Sequence, residues 1–322
     1  MSAKHAPFTV ETFEQVIEER TPGYLIDDLL PERSIGLLLG EPKVGKTFVA
    51  LRMAWCCAVG TPFLGRRVRT GPVLYVHAEG GGGVPNRVKA LAQQDGFKTV
   101  FGIHFVRRPV KILDDEHFQH LLRELRAMEA PPTSIYFDTL GRSIIPADES
   151  SNTDVNRYVE RAEELRNEFG CAVVILHHPG HGGRGRPRGA SSLMGSVDVL
   201  LRLEANGAEG LLDLHCDFMK DGSPFEPIAM RRTPVHLGID DSGRPQSSCV
   251  IEESDHTPTG GESPRSKIIG ELRTGGPMLA TDLAEATGMN PSTLRNHLSA
   301  MQQDGVLEAS GSPKRFRLRK SS

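Results

Sequence analysis

The stretch Gly40-Glu41-Pro42-Lys43-Val44-Gly45-Lys46-Thr47 constrains this chain more than any other. It matches G-x-x-x-x-G-K-[ST], with the apolar run Ile35-Gly36-Leu37-Leu38-Leu39 before it and Phe48-Val49-Ala50-Leu51-Arg52-Met53-Ala54-Trp55 behind it. A buried strand feeding a tight loop that opens a helix aims successive backbone N–H groups at a phosphate, and the helix N-terminus adds partial positive charge. In that setting Lys46 reaches the β- and γ-phosphates and the Thr47 hydroxyl ligates Mg²⁺. Gly40, Lys43, Gly45, Lys46, Thr47 and Phe48 are the expected nucleotide-binding residues.

Past the loop, residues 47–59 are apolar on nearly every face except at Arg52, which predicts a buried helix ended by Gly60. Strand and helix patterns then alternate. Val73–Ala78 ends at Glu79 and four glycines, Ser134-Ile135-Tyr136-Phe137 ends at Asp138, and Cys171–Leu176 ends at His177-His178. Strands apolar on both faces, separated by amphipathic helices, predict a parallel α/β sheet covered by helices. Ligands of such sheets sit beyond the carboxyl ends of the strands, so Glu79, Asp138 and the two histidines should converge on the loop. Phosphoryl transfer needs a carboxylate near Mg²⁺ and a group that orients or deprotonates water. Asp138 suits the first role and Glu79 the second. The histidines admit three readings: a γ-phosphate sensor, ordinary strand-end residues, or a metal site shared with His181.

At 322 residues the chain has room for one large domain and a small one. Residues 1–34 read as an N-terminal segment, with a short helix near Thr12–Glu19, and 35–239 as the core. Within the core a short helix is expected at Ala190–Met194. Three β-like runs at Val197–Leu203, Leu211–Met219 and Pro227–Arg231 read as an antiparallel extension of the sheet. Residues 240–264, rich in Ser, Gly, Pro and Asp, read as a linker. Residues 265–322 predict three short helices, the third opened by Asn290-Pro291, and a basic hairpin ending Arg315-Phe316-Arg317-Leu318-Arg319, the pattern of a winged helix-turn-helix. This tail carries nine Lys/Arg against five acids, whereas the whole chain has a formal charge of -3. The five cysteines make no C-x-x-C pair and read as reduced thiols. With no signal peptide and no apolar span long enough for a bilayer, a cytoplasmic location and no membrane partner are expected.

The P-loop, His77-Ala78-Glu79-Gly80, Ile135-Tyr136-Phe137-Asp138-Thr139-Leu140-Gly141-Arg142, the acidic loop Ala147–Asn152, and His177-His178 with Arg188-Gly189-Ala190-Ser191-Ser192 together resemble the RepA-type RecA-like ATPases. These are ring-forming helicases and relatives from plasmids, phages and integrated elements. The resemblance covers about residues 20–235. It implies a RecA-like P-loop NTPase core binding ATP and Mg²⁺, with Lys46 and Thr47 at phosphate and metal, Glu79 as catalytic base, Asp138 as the Mg²⁺-associated acid and His178 as sensor. It also implies a basic finger donated by an adjacent subunit. Here Phe218-Met219-Lys220-Asp221-Gly222 supplies Lys220, with Asp221 and Gly222 where an arginine is expected; Arg202 and Arg231 are the other arginines to weigh.

Arg184, Arg186 and Arg188 on the glycine-rich loop 180–189 suit sequence-independent binding of a nucleic-acid backbone. In the tail, Ser292, Thr293, Arg295, Asn296 and Ser299 are the non-core positions of the third helix, and Arg315, Arg317 and Arg319 line the wing. The expected mode is that helix in a major groove with the wing on phosphates, although winged helices also serve as protein contacts. The reading is an oligomeric, Mg²⁺-dependent ATPase acting on DNA, a replicative helicase forming a hexameric ring around single-stranded DNA. Its alternatives are an ATP-switched DNA-binding regulator and a recombinase-like filament former.

Overall fold

The computed structural model describes residues 10–78, 83–178, 193, 195–258, 264–289, 291–303 and 306–319. In the first part of the chain the helices are α1 (Phe13–Glu18), α2 (Lys46–Val59), α3 (Gly83–Asp95), α4 (Asp115–Arg126), α5 (Leu140–Ser143) and α6 (Asn152–Phe169). The strands are β1 (Tyr24–Ile26), β2 (Leu30–Pro31), β3 (Ile35–Gly40), β4 (Val73–His77), β5 (Ile103–Val106), β6 (Ser134–Asp138), β7 (Ala172–His177), β8 (Val199–Ala205), β9 (Leu211–Met219), β10 (Ile228–Ile239) and β11 (Pro245–Glu253). Among the described residues β3 to β11 form one sheet in the order β11-β10-β9-β8-β3-β7-β6-β4-β5.

The six strands from β8 to β5 run parallel, and β9, β10 and β11 continue the sheet antiparallel. One face carries Leu38, Tyr75, Tyr136, Val174 and Leu176 under α2 and α3; the other carries Ile35, Leu37, Val76, Ile135, Phe137, Val173 and Ile175 under α4, α5 and α6. Covering both faces is why these strands read as unbroken apolar runs and why α2 is apolar all round. α2 stops at Gly60, whose φ of 79° closes the helix in the left-handed region. The fold class read from the sequence, a parallel sheet covered by helices with a small winged helix after it, is the one observed.

Two local expectations change. β8 is parallel to β3, so the antiparallel extension begins at β9. The stretch expected to be a linker contains β11, which pairs with β10 over its whole length and buries Val250 and Ile251 against α2 and α3. Leu140–Ser143 forms a short helix, with Ser143 Oγ hydrogen-bonded to Tyr158 Oη at 2.8 Å. The segment Tyr24–Pro31 packs on its own domain: Leu25, Ile26, Leu29 and Leu30 are buried in the cluster that holds α2. α1 differs, for its Thr12–Gln15 capping box fixes a helix whose Phe13, Val16 and Ile17 are exposed. The helix expected at Ala190–Met194 lies outside the described residues except for Leu193, which is buried.

The C-terminal unit comprises α7 (Pro264–Gly275), β12 (Met278–Leu279), α8 (Ala280–Thr287), α9 (Pro291–Gln303), β13 (Leu307–Ser310) and β14 (Arg315–Leu318). The strands order as β12-β14-β13, adding one strand to the expected hairpin. Ile268, Leu272, Leu283, Leu294, Leu298, Met301 and Leu307 form a separate core. Gly288, at φ 67°, ends α8 and sets the turn into α9; Asn290 lies outside the described residues. Among the described residues no helix is long and apolar enough to cross a membrane.

Candidate active site

β3 delivers the chain to Gly40 at the carboxyl edge of the sheet. A side chain there would meet the Leu203 carbonyl oxygen at 2.8 Å and Val44 Cγ1 at 3.0 Å, so only glycine lets the loop leave this close to β8. Positive φ at Lys43 (66°) and Gly45 (123°) then turns the loop into α2, whose first residue is Lys46. Lys46 is 5% exposed. Its ammonium donates to the carbonyl oxygens of Gly40 (2.6 Å) and Glu41 (3.0 Å) and to Nδ1 of His178 (2.8 Å). Because an ammonium only donates, the His178 ring accepts at Nδ1 and carries its proton on Nε2. Thr47 and Phe48 follow in the first turn of α2, and the Arg87 guanidinium from α3 stacks 4.8 Å above the Phe48 ring.

Asp138 ends β6 on the face that α2 covers and is 1% exposed. The Tyr75 hydroxyl donates to its Oδ2 at 3.0 Å, and His77 Nδ1 lies 3.3 Å from the same oxygen. Its other oxygen, Oδ1, is buried with no hydrogen-bond partner among the described residues. A buried carboxylate oxygen without a donor is costly unless a ligand completes it. A hard oxygen donor with a free lone pair, at the same carboxyl edge of the sheet as a P-loop threonine, is the donor set Mg²⁺ takes. Asp138 and Thr47 therefore fit that ion.

β7 places His177 and His178 between the P-loop strand and Asp138, since β3 pairs with β7 and β7 with β6. His177 is buried on the face away from α2. Burial, with His178 and Lys46 adding to it, pushes the imidazole down to about 4. The unfolded chain takes up this proton near 6.5 and the folded chain only near 4, so stability rises with pH across that window. Urea unfolding is expected to show a loss of about 3 kcal/mol as pH falls from 7 to 4, and His177→Gln should remove that part of the slope.

Glu79, His181, Arg184, Arg186 and Arg188 lie outside the described residues. Among those described, no group of three His, Cys, Asp or Glu side chains could hold a metal. Lys220 stands apart from the P-loop: its backbone N–H donates to the Asp198 carbonyl at 2.9 Å and its ammonium lies 3.7 Å from Asp198 Oδ1, at the amino ends of the parallel strands. Arg202 is bound in its own sheet, bidentate to Asp217 at 2.8 and 3.0 Å and paired with Glu204. Arg231 donates to Ser254 Oγ at 3.4 Å on the same sheet.

In α9 the residues Leu294, Leu298 and Met301 are buried and Arg295, Asn296 and Ser299 are exposed; Ser292 and Thr293 lie in the first turn. On the wing Arg315 and Arg317 are exposed, Arg317 bridging to Glu308 across the hairpin at 2.9 Å. Sequence reasoning missed Tyr75, His77 and Arg87. The first two alternate on β4 and share a face with Asp138, a period-two signal present in the sequence. Nothing in the sequence singles out Arg87.

Fold and site together define a P-loop ATPase domain followed by a winged helix-turn-helix. Residues 3–184, more than half of the chain, match the AAA domain family. The chain belongs to that family. Residues 262–309 match the family described as bacterial regulatory protein, arsR family. No curated protein matches the sequence. Among solved structures the RadB recombinase crystal structure is similar at 14% identity and a TM-score of 0.46, over 70% of this chain and 92% of that one.

Proposed function

We propose that this protein is an oligomeric, Mg²⁺-dependent ATPase that acts on DNA, most concretely a RepA-like replicative helicase. The observation that carries the reading is the convergence of Lys46, His178 and the unpartnered oxygen of Asp138 at one sheet edge. Lys46 would exchange its carbonyl partners for phosphate oxygens, Glu79 would orient or deprotonate the attacking water, and the neutral His178 would donate from Nε2 to the γ-phosphate. Mg²⁺ held by Thr47 and Asp138 would neutralise charge on the phosphates. Lys220 would serve the site of a neighbouring copy. The loop bearing Arg184, Arg186 and Arg188 would follow single-stranded DNA, and Arg295, Asn296 and the wing would engage duplex.

The test is ATP turnover with and without single-stranded DNA, with the oligomer's mass measured by light scattering. Turnover should be stimulated by DNA in a ring-sized assembly and should fall about 100-fold or more in Glu79→Gln. Absence of stimulation together with unchanged turnover in Glu79→Gln would falsify the reading. The second reading, an ATP-switched DNA-binding regulator, is favoured by the arsR-type match of the tail. It calls for sequence-specific duplex binding, weakened by about 1–3 kcal/mol in Arg295→Ala, and no unwinding while hydrolysis is intact.

A further inference from the structure

We infer that the chain leaving the sheet toward the winged helix is latched to the wall of the P-loop, and that this latch carries the nucleotide state to the DNA-binding unit. The inference rests on the nucleotide site proposed above and goes beyond it.

The latch is built from residues that the nucleotide chemistry does not use. β11 ends at Glu253, and the segment 254–258 turns back over the β8–β9 end of the sheet. There His256 Nε2 lies 2.6 Å from Oδ1 of Asp213, a β9 residue whose side chain is wholly buried. His256 Nδ1 lies 2.9 Å from Ser254 Oγ. Asn206, in the β8–β9 turn, donates from Nδ2 to the Thr257 carbonyl at 3.0 Å and to Asp213 Oδ1 at 3.3 Å. Charge-assisted bonds to a buried carboxylate are stronger than neutral ones, so the bond from His256 to Asp213 anchors the segment that carries it.

This anchor adjoins the phosphate loop. Leu212, next to Asp213, places Cδ1 where a side chain on Gly45 would come within 3.4 Å of it. Leu203 crowds Gly40 from the other side. An open groove of about 440 Å³ is lined by Glu41, Pro42, Lys43 and Val44 of the loop and by Leu203, Glu204 and Ala205 of β8, and Asn206 follows directly. The limb of the loop whose carbonyls hold the Lys46 ammonium thus adjoins the strand end that holds residues 254–257. When Lys46 turns to phosphate, the bonds to Gly40 and Glu41 change hands, and Gly40 pairs with Leu203 of β8, which runs through the turn at Asn206 into β9. Coupling between sites needs such a contiguous set of contacts, together with a demonstrated response at the far end.

The experiment uses the full chain. Amide exchange of residues 254–258 is measured with and without a non-hydrolysable ATP analogue and Mg²⁺, alongside duplex affinity. In the wild type the analogue should change exchange in this segment and duplex affinity, each about tenfold. In His256→Ala the analogue should still bind with wild-type affinity while duplex affinity no longer responds to it. Asn206→Ala, which removes only the hold on Thr257 and a shared bond to Asp213, should reduce the response if His256→Ala fails to fold. Bound analogue with unchanged exchange at 254–258 overturns the latch and leaves the nucleotide site standing, as does a His256→Ala protein whose response is intact. Failure of the analogue to bind overturns both.

Discussion

Lys46→Ala is expected to abolish ATP turnover and to weaken ATP binding about 100-fold, with little change in thermal unfolding. An ammonium bonded to phosphate oxygens contributes about 1.5–3 kcal/mol per charge-assisted hydrogen bond, and two bonds at the low end of that range, about 3 kcal/mol, account for a 100-fold loss. The small effect on stability follows from what Lys46 touches. Among its partners are His178 Nδ1 and the carbonyls of Gly40 and of the exposed Glu41, and truncation to alanine would admit solvent to them. Calorimetric titration of ATP beside a melting curve checks both halves. Binding within about threefold of wild type would mean that phosphate does not sit on this loop.

The second large effect concerns Asp138. Asp138→Asn should lower turnover about 1000-fold and remove its dependence on Mg²⁺, while the fold survives, because an amide oxygen can still accept from the Tyr75 hydroxyl. Asp138→Ala should lose turnover to the same degree and also about 1–3 kcal/mol of stability, since the Tyr75 hydroxyl and His77 are then left unpaired in a buried site. The pair of variants separates chemistry from packing. Magnesium titration of turnover and chemical denaturation are the two measurements; equal stability of both variants would contradict the hydrogen-bond account.

The central layer of this molecule was legible because burial leaves a strong mark. β4, β6 and β7 are covered on both faces, so each is a run of apolar residues closed by polar ones; of these, Asp138 and His178 stand at the sheet edge where the P-loop begins, and Glu79 lies outside the described residues. β11 was hidden by the opposite circumstance. Its pairing with β10 needs only backbone groups, and Val250 and Ile251 are its buried anchors among serines and glutamates that read as linker. The direction of β8 was equally hidden, because a strand's apolar pattern is the same whichever way it runs, and only the neighbouring strand decides it. Asp138 could be found as a strand-end carboxylate. Its partners Tyr75 and His77 looked like ordinary strand residues until the register of β4 on β6 put them beside it. The latch residues Asp213 and His256 are 43 positions apart, and no local pattern links them.

Lys220 and the P-loop occupy opposite ends of the same parallel strands, because Asp198 precedes β8 at the end where Ile35 enters the sheet and Gly40 leaves at the other. If one copy's lysine serves another copy's nucleotide, the two surfaces that meet are unlike. Such a junction has no twofold axis and cannot stop at a pair. Each added copy leaves one lysine and one nucleotide site unmatched at the two ends of the row, and only closure makes every site equivalent. The fraction of competent sites would then depend on whether the row closes, which makes protein concentration itself a regulator of turnover.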